Sequence, residues 1–273
     1  MQKITARRVQ RGTPPTPIER QSKRINRQQR RLEKDIGVSA LQIQAPRQRV
    51  IRYEDVCELE PMTDTQRDFF DAYEDDAATG YVLYGSAGTG KSFIALYQAL
   101  VDVMSPETPY DKIIIVRSSV QSRDLGYLPG DAAIKMEAYE SPYHGIFSDL
   151  TGKKDAYEKL KDMGKIEFIS SSFCRGVTMS NAIVVVEECQ NFSFHEISTI
   201  ATRIGKNAKI IFTGDGAQND LTHSKHDVSG FREFISVSSR MVEFRNFRFT
   251  TDDIVRSGFV KSWIVTCENL GLM

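Results

Sequence analysis

The run GSAGTGKS at residues 85–92 limits this chain more than any other feature. It has the spacing Gly-x4-Gly-Lys-Ser, and its surroundings are those the spacing needs. Tyr81-Val82-Leu83-Tyr84 before it is a short, apolar, β-prone run, and Phe93 to Val103 after it reads as a helix with Leu96, Leu100 and Val103 on one face. Strand, glycine loop, helix is the arrangement of a phosphate-binding loop. The backbone N–H groups of Gly85, Ser86, Ala87, Gly88, Thr89 and Gly90, with the positive end of the helix dipole, are expected to surround a polyphosphate. Lys91 is expected to reach the β- and γ-phosphates, and the Ser92 hydroxyl to sit on Mg²⁺. The bland alternative is a glycine-rich turn that merely starts a helix.

Formal net charge is zero, but its distribution is uneven. Residues 1–50 hold thirteen Lys or Arg and three acids, leaving 23 basic and 33 acidic residues in the remainder. The first 50 residues also have few large apolar side chains and a Thr-Pro-Pro-Thr-Pro stretch at 13–17. Such a segment cannot bury enough apolar area to offset its ordering entropy. It is expected to be a mobile basic arm, either a solubilising tail or an electrostatic contact for nucleic acid. Residues 51–273 are expected to form one domain. Cys57, Cys174, Cys189 and Cys267 are scattered with no C-x-x-C pair, which argues against a metal or disulfide framework and fits a cytoplasmic protein. No apolar stretch approaches the roughly 18 residues of a membrane-spanning helix, so no membrane partner is expected.

From residue 61 the pattern becomes regular. A helix is expected over 63–73, capped by Thr63 or Asp64. Strands are expected at 81–84, 112–117, 165–170, 181–186 and 209–213, with a weaker one at 241–244. Near-continuous β-branched runs such as KIIIVR and NAIVVV imply strands covered on both faces. The expected fold is therefore α/β, a mainly parallel sheet sandwiched by helices, with ligands at the carboxyl ends of the strands. The segment 252–270 reads as a closing helix with Val255, Phe259, Val260, Trp263 and Ile264 on one stripe. Residues 118–150 read as a helical insert whose aromatics either pack or stack on single-stranded nucleic acid. His223 and His226 read as surface loop residues.

Hydrolysis needs more than a phosphate loop. IVVVEECQN (183–191) ends a buried strand with two adjacent acids, and IIFTGDGAQND (210–220) leaves another with Asp215 and Gln218. Alternation along the strand points Glu187 and Glu188 in different directions, one toward a metal shell and the other toward water.

These residues carry a resemblance. GSAGTGKS, LGYLPGD (125–131), FCRG (173–176), EECQN (187–191), TRIG (202–205), TGDGAQNDL (213–221) and DIVRSGFV (253–260) occur in an order similar to that of the PhoH-like ATPases. That P-loop NTPase family has a RecA-like core similar to the first domain of superfamily-one helicases. The resemblance spans roughly 61–270 and implies ATP and Mg²⁺ as cofactors. It implies that Gln66 reads adenine, Glu187 is the metal acid, Glu188 the general base and Gln218 the γ-phosphate sensor. Where the family has Asp-Glu, this chain has Glu187-Glu188. Metal binding is expected to survive this and turnover to slow, with a non-hydrolysing ATP-gated module as the alternative. Only one RecA-like domain fits in the chain, so the positive charge for the transition state must come from that domain or a neighbouring copy. Arg175, Arg203 and Arg256 are candidates, Arg256 being the preferred one between subunits, and Arg117 is a candidate for a nucleic-acid channel. The resemblance implies a homo-oligomer, a hexameric ring, acting on RNA or single-stranded DNA.

Overall fold

Each interior strand alternates side chains between two apolar layers, and this fixes the architecture. In a computed structural model, which describes residues 50–75, 78–118, 132–215 and 229–272, six strands form one sheet. They are β1 (Gly80–Gly85), β2 (Lys112–Arg117), β3 (Ile166–Ser170), β4 (Ala182–Glu187), β5 (Ala208–Gly214) and β6 (Phe244–Phe249). Their order is β3-β2-β4-β5-β1-β6, and every pairing is parallel. The described residues belong to one compact unit.

Seven helices are described: α1 (Asp64–Glu74), α2 (Lys91–Met104), α3 (Ala132–Thr151), α4 (Ala156–Asp162), α5 (Phe194–Ala201), α6 (Phe231–Ser238) and α7 (Gly258–Asn269). On β4, Ile183 and Val185 enter the layer shared with Phe69, Leu96 and Phe147, from α1, α2 and α3. Val184 and Val186 enter the opposite layer with Ile197, Ile200 and Phe234, from α5 and α6. Each such side chain contributes about 1.5–3 kcal/mol when fully buried. This two-sided burial is why the strands read as unbroken apolar runs.

α1 starts where its cap predicts, the Thr63 hydroxyl accepting from the Gln66 N–H. Two elements differ from expectation. The last strand is Phe244–Phe249, not 241–244; it is a sheet edge, and its FRNFRF mixes three phenylalanines with Arg245, Asn246 and Arg248. The closing helix begins at Gly258, not 252. Thr251–Asp253 is a 3-10 turn capped by the Asp253 carboxylate on the Thr250 N–H, and the Val255 N–H donates to the Gly88 carbonyl instead of to a helical one. The expected apolar stripe is not buried as a unit either. Ile264 is covered, whereas Phe259, Val260 and Trp263 face outward.

The basic arm, LGYLPGD, Gln218, His223 and His226 lie outside the described residues. Among the described residues no helix is long and apolar enough to cross a membrane.

Candidate nucleotide-binding site

The parallel register brings the ends of the strands to one rim: Arg117 lies opposite Ser170 on one side and Glu187 on the other. Between β1 and α2 the loop turns through Gly85, Gly88 and Gly90 at φ of 120°, 72° and 83°. Side chains rarely adopt these values, so glycine is needed here. At Gly85 space is a second reason, since a Cβ would fall 2.0 Å from the Phe249 carbonyl oxygen.

The loop borders a cleft of about 530 Å³ lined by Ala87 to Ser92, by Gln66, Glu188 and Asp215, and by Arg256. This is the size range of small-molecule sites. Lys91 bends over the loop, its Nζ donating to the carbonyls of Gly85 (2.8 Å) and Ser86 (2.7 Å). Desolvation lowers its pKa, while the negative charges of Asp215, Glu188 and Glu187 act to raise it.

The adjacent acids diverge as strand alternation requires. Glu187 is buried, accepting from the Ser92 hydroxyl (2.7 Å) and the Thr213 hydroxyl (3.0 Å). Burial pushes its carboxyl up to about 7; the two hydroxyls act against this, and the charge of Glu188 adds to it. Glu188 lines the cleft with its backbone in the left-handed region, φ 56° and ψ 47°. A long side chain held there costs of order 1 kcal/mol or more, and such strain gathers at functional sites.

Gln190 joins the two acidic elements. Its Nε2 donates to Glu188 Oε2 (2.6 Å), and its Oε1 accepts from the Asp215 N–H (3.0 Å). Gln66 is likewise tied from both ends. Its Nε2 donates to the Thr89 carbonyl (2.9 Å), and its Oε1 accepts from the Met62 N–H (2.8 Å). Each primary amide has a second N–H and a second lone pair, so Gln66 is positioned by the loop and retains capacity for a ligand.

The arginine candidates separate clearly. Arg256 lies in the cleft of its own chain, just before α7, with its Cγ 3.0 Å from where a Cβ on Gly88 would stand. A role between subunits is therefore not required to bring it to the phosphate loop. Arg203 is at the opposite end of the sheet, where its carbonyl accepts from the Met179 N–H before β5 begins. Arg175 follows the 3-10 turn Ser171–Cys174 at the carboxyl end of β3 and is exposed. Arg117 lies 5.7 Å from the Tyr139 ring centroid.

Residues 58–268 match the family described as PhoH-like protein. The chain belongs to the PhoH-like family. It is 30% identical over 203 residues to a PhoH-like protein of Mycobacterium bovis, covering 74% of this chain and 56% of that one. It is 31% identical over 175 residues to Protein PhoH of Escherichia coli, covering 63% and 48%. The chain thus spans about half the length of the curated PhoH-like relatives it matches. Among solved structures, a Pif1 helicase from Candida albicans aligns with 78% of this chain and 44% of its own at TM-score 0.38 and 15% identity.

Sequence reasoning did not assign Thr213 a role, although a β-branched hydroxyl ending an apolar strand beside Gly-Asp was a usable signal. It also missed Asp149 and Ile146 of α3 and Glu60 of the segment before α1, which complete the cleft wall. No local pattern marks those three.

Proposed function

We propose that this PhoH-like domain binds and hydrolyses ATP with Mg²⁺, as a cytoplasmic oligomer acting on RNA or single-stranded DNA. The observation that carries the ATPase reading is the Ser92–Glu187–Thr213 hydrogen-bond triad beside Lys91, with Glu188 lining the same cleft. A carboxylate and two hydroxyls are hard oxygen donors, the set Mg²⁺ prefers. Glu187 is also buried with a raised pKa, so a divalent cation there offsets the cost of its charge. The donors fit the ion, and Ser92 and Glu187 are the residues that would hold it. Bound there, Mg²⁺ would supply positive charge against the phosphates.

The chain's own groups supply the rest. The loop amides and Lys91 hold the phosphates, and Lys91 exchanges its two carbonyl acceptors for phosphate oxygens as they arrive. Glu188 accepts a proton from the attacking water, held in orientation by Gln190. Arg256 supplies positive charge from within the same chain, and Gln218 senses the γ-phosphate. Gln66 contacts adenine while fixing the loop at Thr89. The nucleic-acid and oligomer parts rest on the family resemblance and on the basic balance of residues 1–50.

One observation favours the alternative of a non-hydrolysing ATP-gated module: Glu187 has the longer carboxylate and already spans Ser92 and Thr213. Phosphate release from ATP with Mg²⁺, with and without single-stranded RNA and DNA and with Lys91→Ala as the blank, separates the two. Turnover above the blank, raised by a nucleic acid, supports the motor reading. ATP binding without release supports the module.

A further inference from the structure

α7 leaves its most apolar side chains uncovered. Phe259 and Trp263 are four residues apart, on one helix face, and are 78% and 63% exposed. The other side of the helix is seated on the phosphate loop through Ile264, whose Cδ1 lies 3.2 Å from where a Cβ on Gly88 would stand. This aromatic ridge therefore sits at the carboxyl end of the sheet.

The amino end carries the reciprocal shape. A groove of about 310 Å³ opens there between α5 and α6, lined by Ile197 and Phe234 and rimmed by the exposed Phe194, Val237 and Met241. Gly80 and Phe244, the first residues of β1 and β6, also line it, which places it at the end opposite the phosphate loop. Its walls are overwhelmingly apolar and suit an inserted aromatic side chain.

Every copy of the chain carries both ridge and groove, near opposite ends of the strands. We infer that Phe259 and Trp263 of one copy dock into the α5–α6 groove of the next, a head-to-tail contact that buries both apolar patches by one repeated interface. A contact of this kind joins different surfaces on the two copies, so it builds a ring or an open chain rather than a two-fold dimer. The inference rests on the oligomeric reading proposed above and names the surfaces that reading lacks.

The test uses the full chain and two single variants, Trp263→Glu to break the ridge and Val237→Glu to break the groove. Mass is followed by sedimentation across protein concentration. The wild type is expected to assemble and each variant alone to stay monomeric. Their equimolar mixture is expected to stop at a heterodimer, because one intact ridge then meets one intact groove. Trp263 is the sole tryptophan, so the Val237→Glu chain reports its own docking by a blue shift of emission when the Trp263→Glu chain is added. A wild type that stays monomeric overturns the inference and the oligomeric reading together. A wild type that assembles alongside variants that assemble equally well overturns the inference alone, as does a mixture that remains monomeric. Circular-dichroism melts and ATP-analogue binding check that the variants fold. If either fails that check, Phe259→Ser and Met241→Ser replace the pair, with the same outcomes.

Discussion

The two ends of the sheet handle the same two problems, buried charge and left-handed backbone, in different ways. At the amino end Lys209 is buried, but its ammonium lies 3.5 Å from the Asp102 carboxylate and 4.1 Å from the Tyr73 ring centroid. Asn181 and Asn207 hold φ of 49° and 51° there, and their side chains hydrogen-bond one another. Asparagine tolerates that region, so this is ordinary turn chemistry. At the carboxyl end Glu187 is among the buried acids, with two hydroxyl donors and, among the described residues, no salt bridge. The left-handed non-glycine residue is Glu188, a long side chain whose Oε2 accepts from Gln190. One end is electrostatically closed. The other keeps a buried carboxylate on hydroxyl donors alone.

Substitutions at each end test that contrast. Lys91→Ala is expected to have the largest effect, abolishing phosphate release and weakening ATP binding, read by a phosphate assay and by calorimetry. Glu188→Gln is expected to lower kcat about 10²–10⁴-fold, the contribution of a general base, with ATP affinity retained. Parental turnover in that variant ends the assignment. Lys209→Ala, at the closed end, leaves the half-buried Asp102 carboxylate with the Tyr73 hydroxyl but no counter-charge. It should lower stability by about 3 kcal/mol in a denaturant melt while ATP affinity stays parental. If ATP affinity falls with it, the two ends are not independent.

The smallest effect concerns pH. The folded pKa of Glu187 is raised to about 7 from an ordinary 4.5, so the folded protein holds this proton over a range where the unfolded chain has lost it. Without Mg²⁺, its contribution is therefore fully present below pH 4.5 and is lost as pH rises toward about 7, by roughly 1 kcal/mol per pH unit. Glu187→Gln should flatten that part of the stability profile. An unchanged slope places the titration elsewhere.

What could be read from the sequence follows the range of the interactions involved. The phosphate loop, the buried strands and the divergence of Glu187 from Glu188 depend on neighbours in sequence, and all were legible. The cap of α1 was legible to within one residue, Thr63 or Asp64, and is Thr63. The start of α7 was not, because Val255 gives its N–H to Gly88, far back in the chain. The position of Arg256 depends on that same contact. β6 read weakly because Arg245, Asn246 and Arg248 interrupt its three phenylalanines and leave no unbroken apolar run. Gln66 was found by resemblance, but its bond to Thr89, 23 residues away, has no sequence signature. Asp149 reaches the cleft only through the packing of α3.

The bend of Lys91 onto the Gly85 and Ser86 carbonyls has a consequence for binding equilibria. An anion entering the loop competes with two internal acceptors for one ammonium, so a single small anion gains little by displacing them. A polyphosphate replaces both acceptors and also collects the loop amides, and only then is the exchange favourable. The expected outcome is a threshold at Lys91: weak binding of lone phosphate and much tighter binding of a polyphosphate, read by calorimetry.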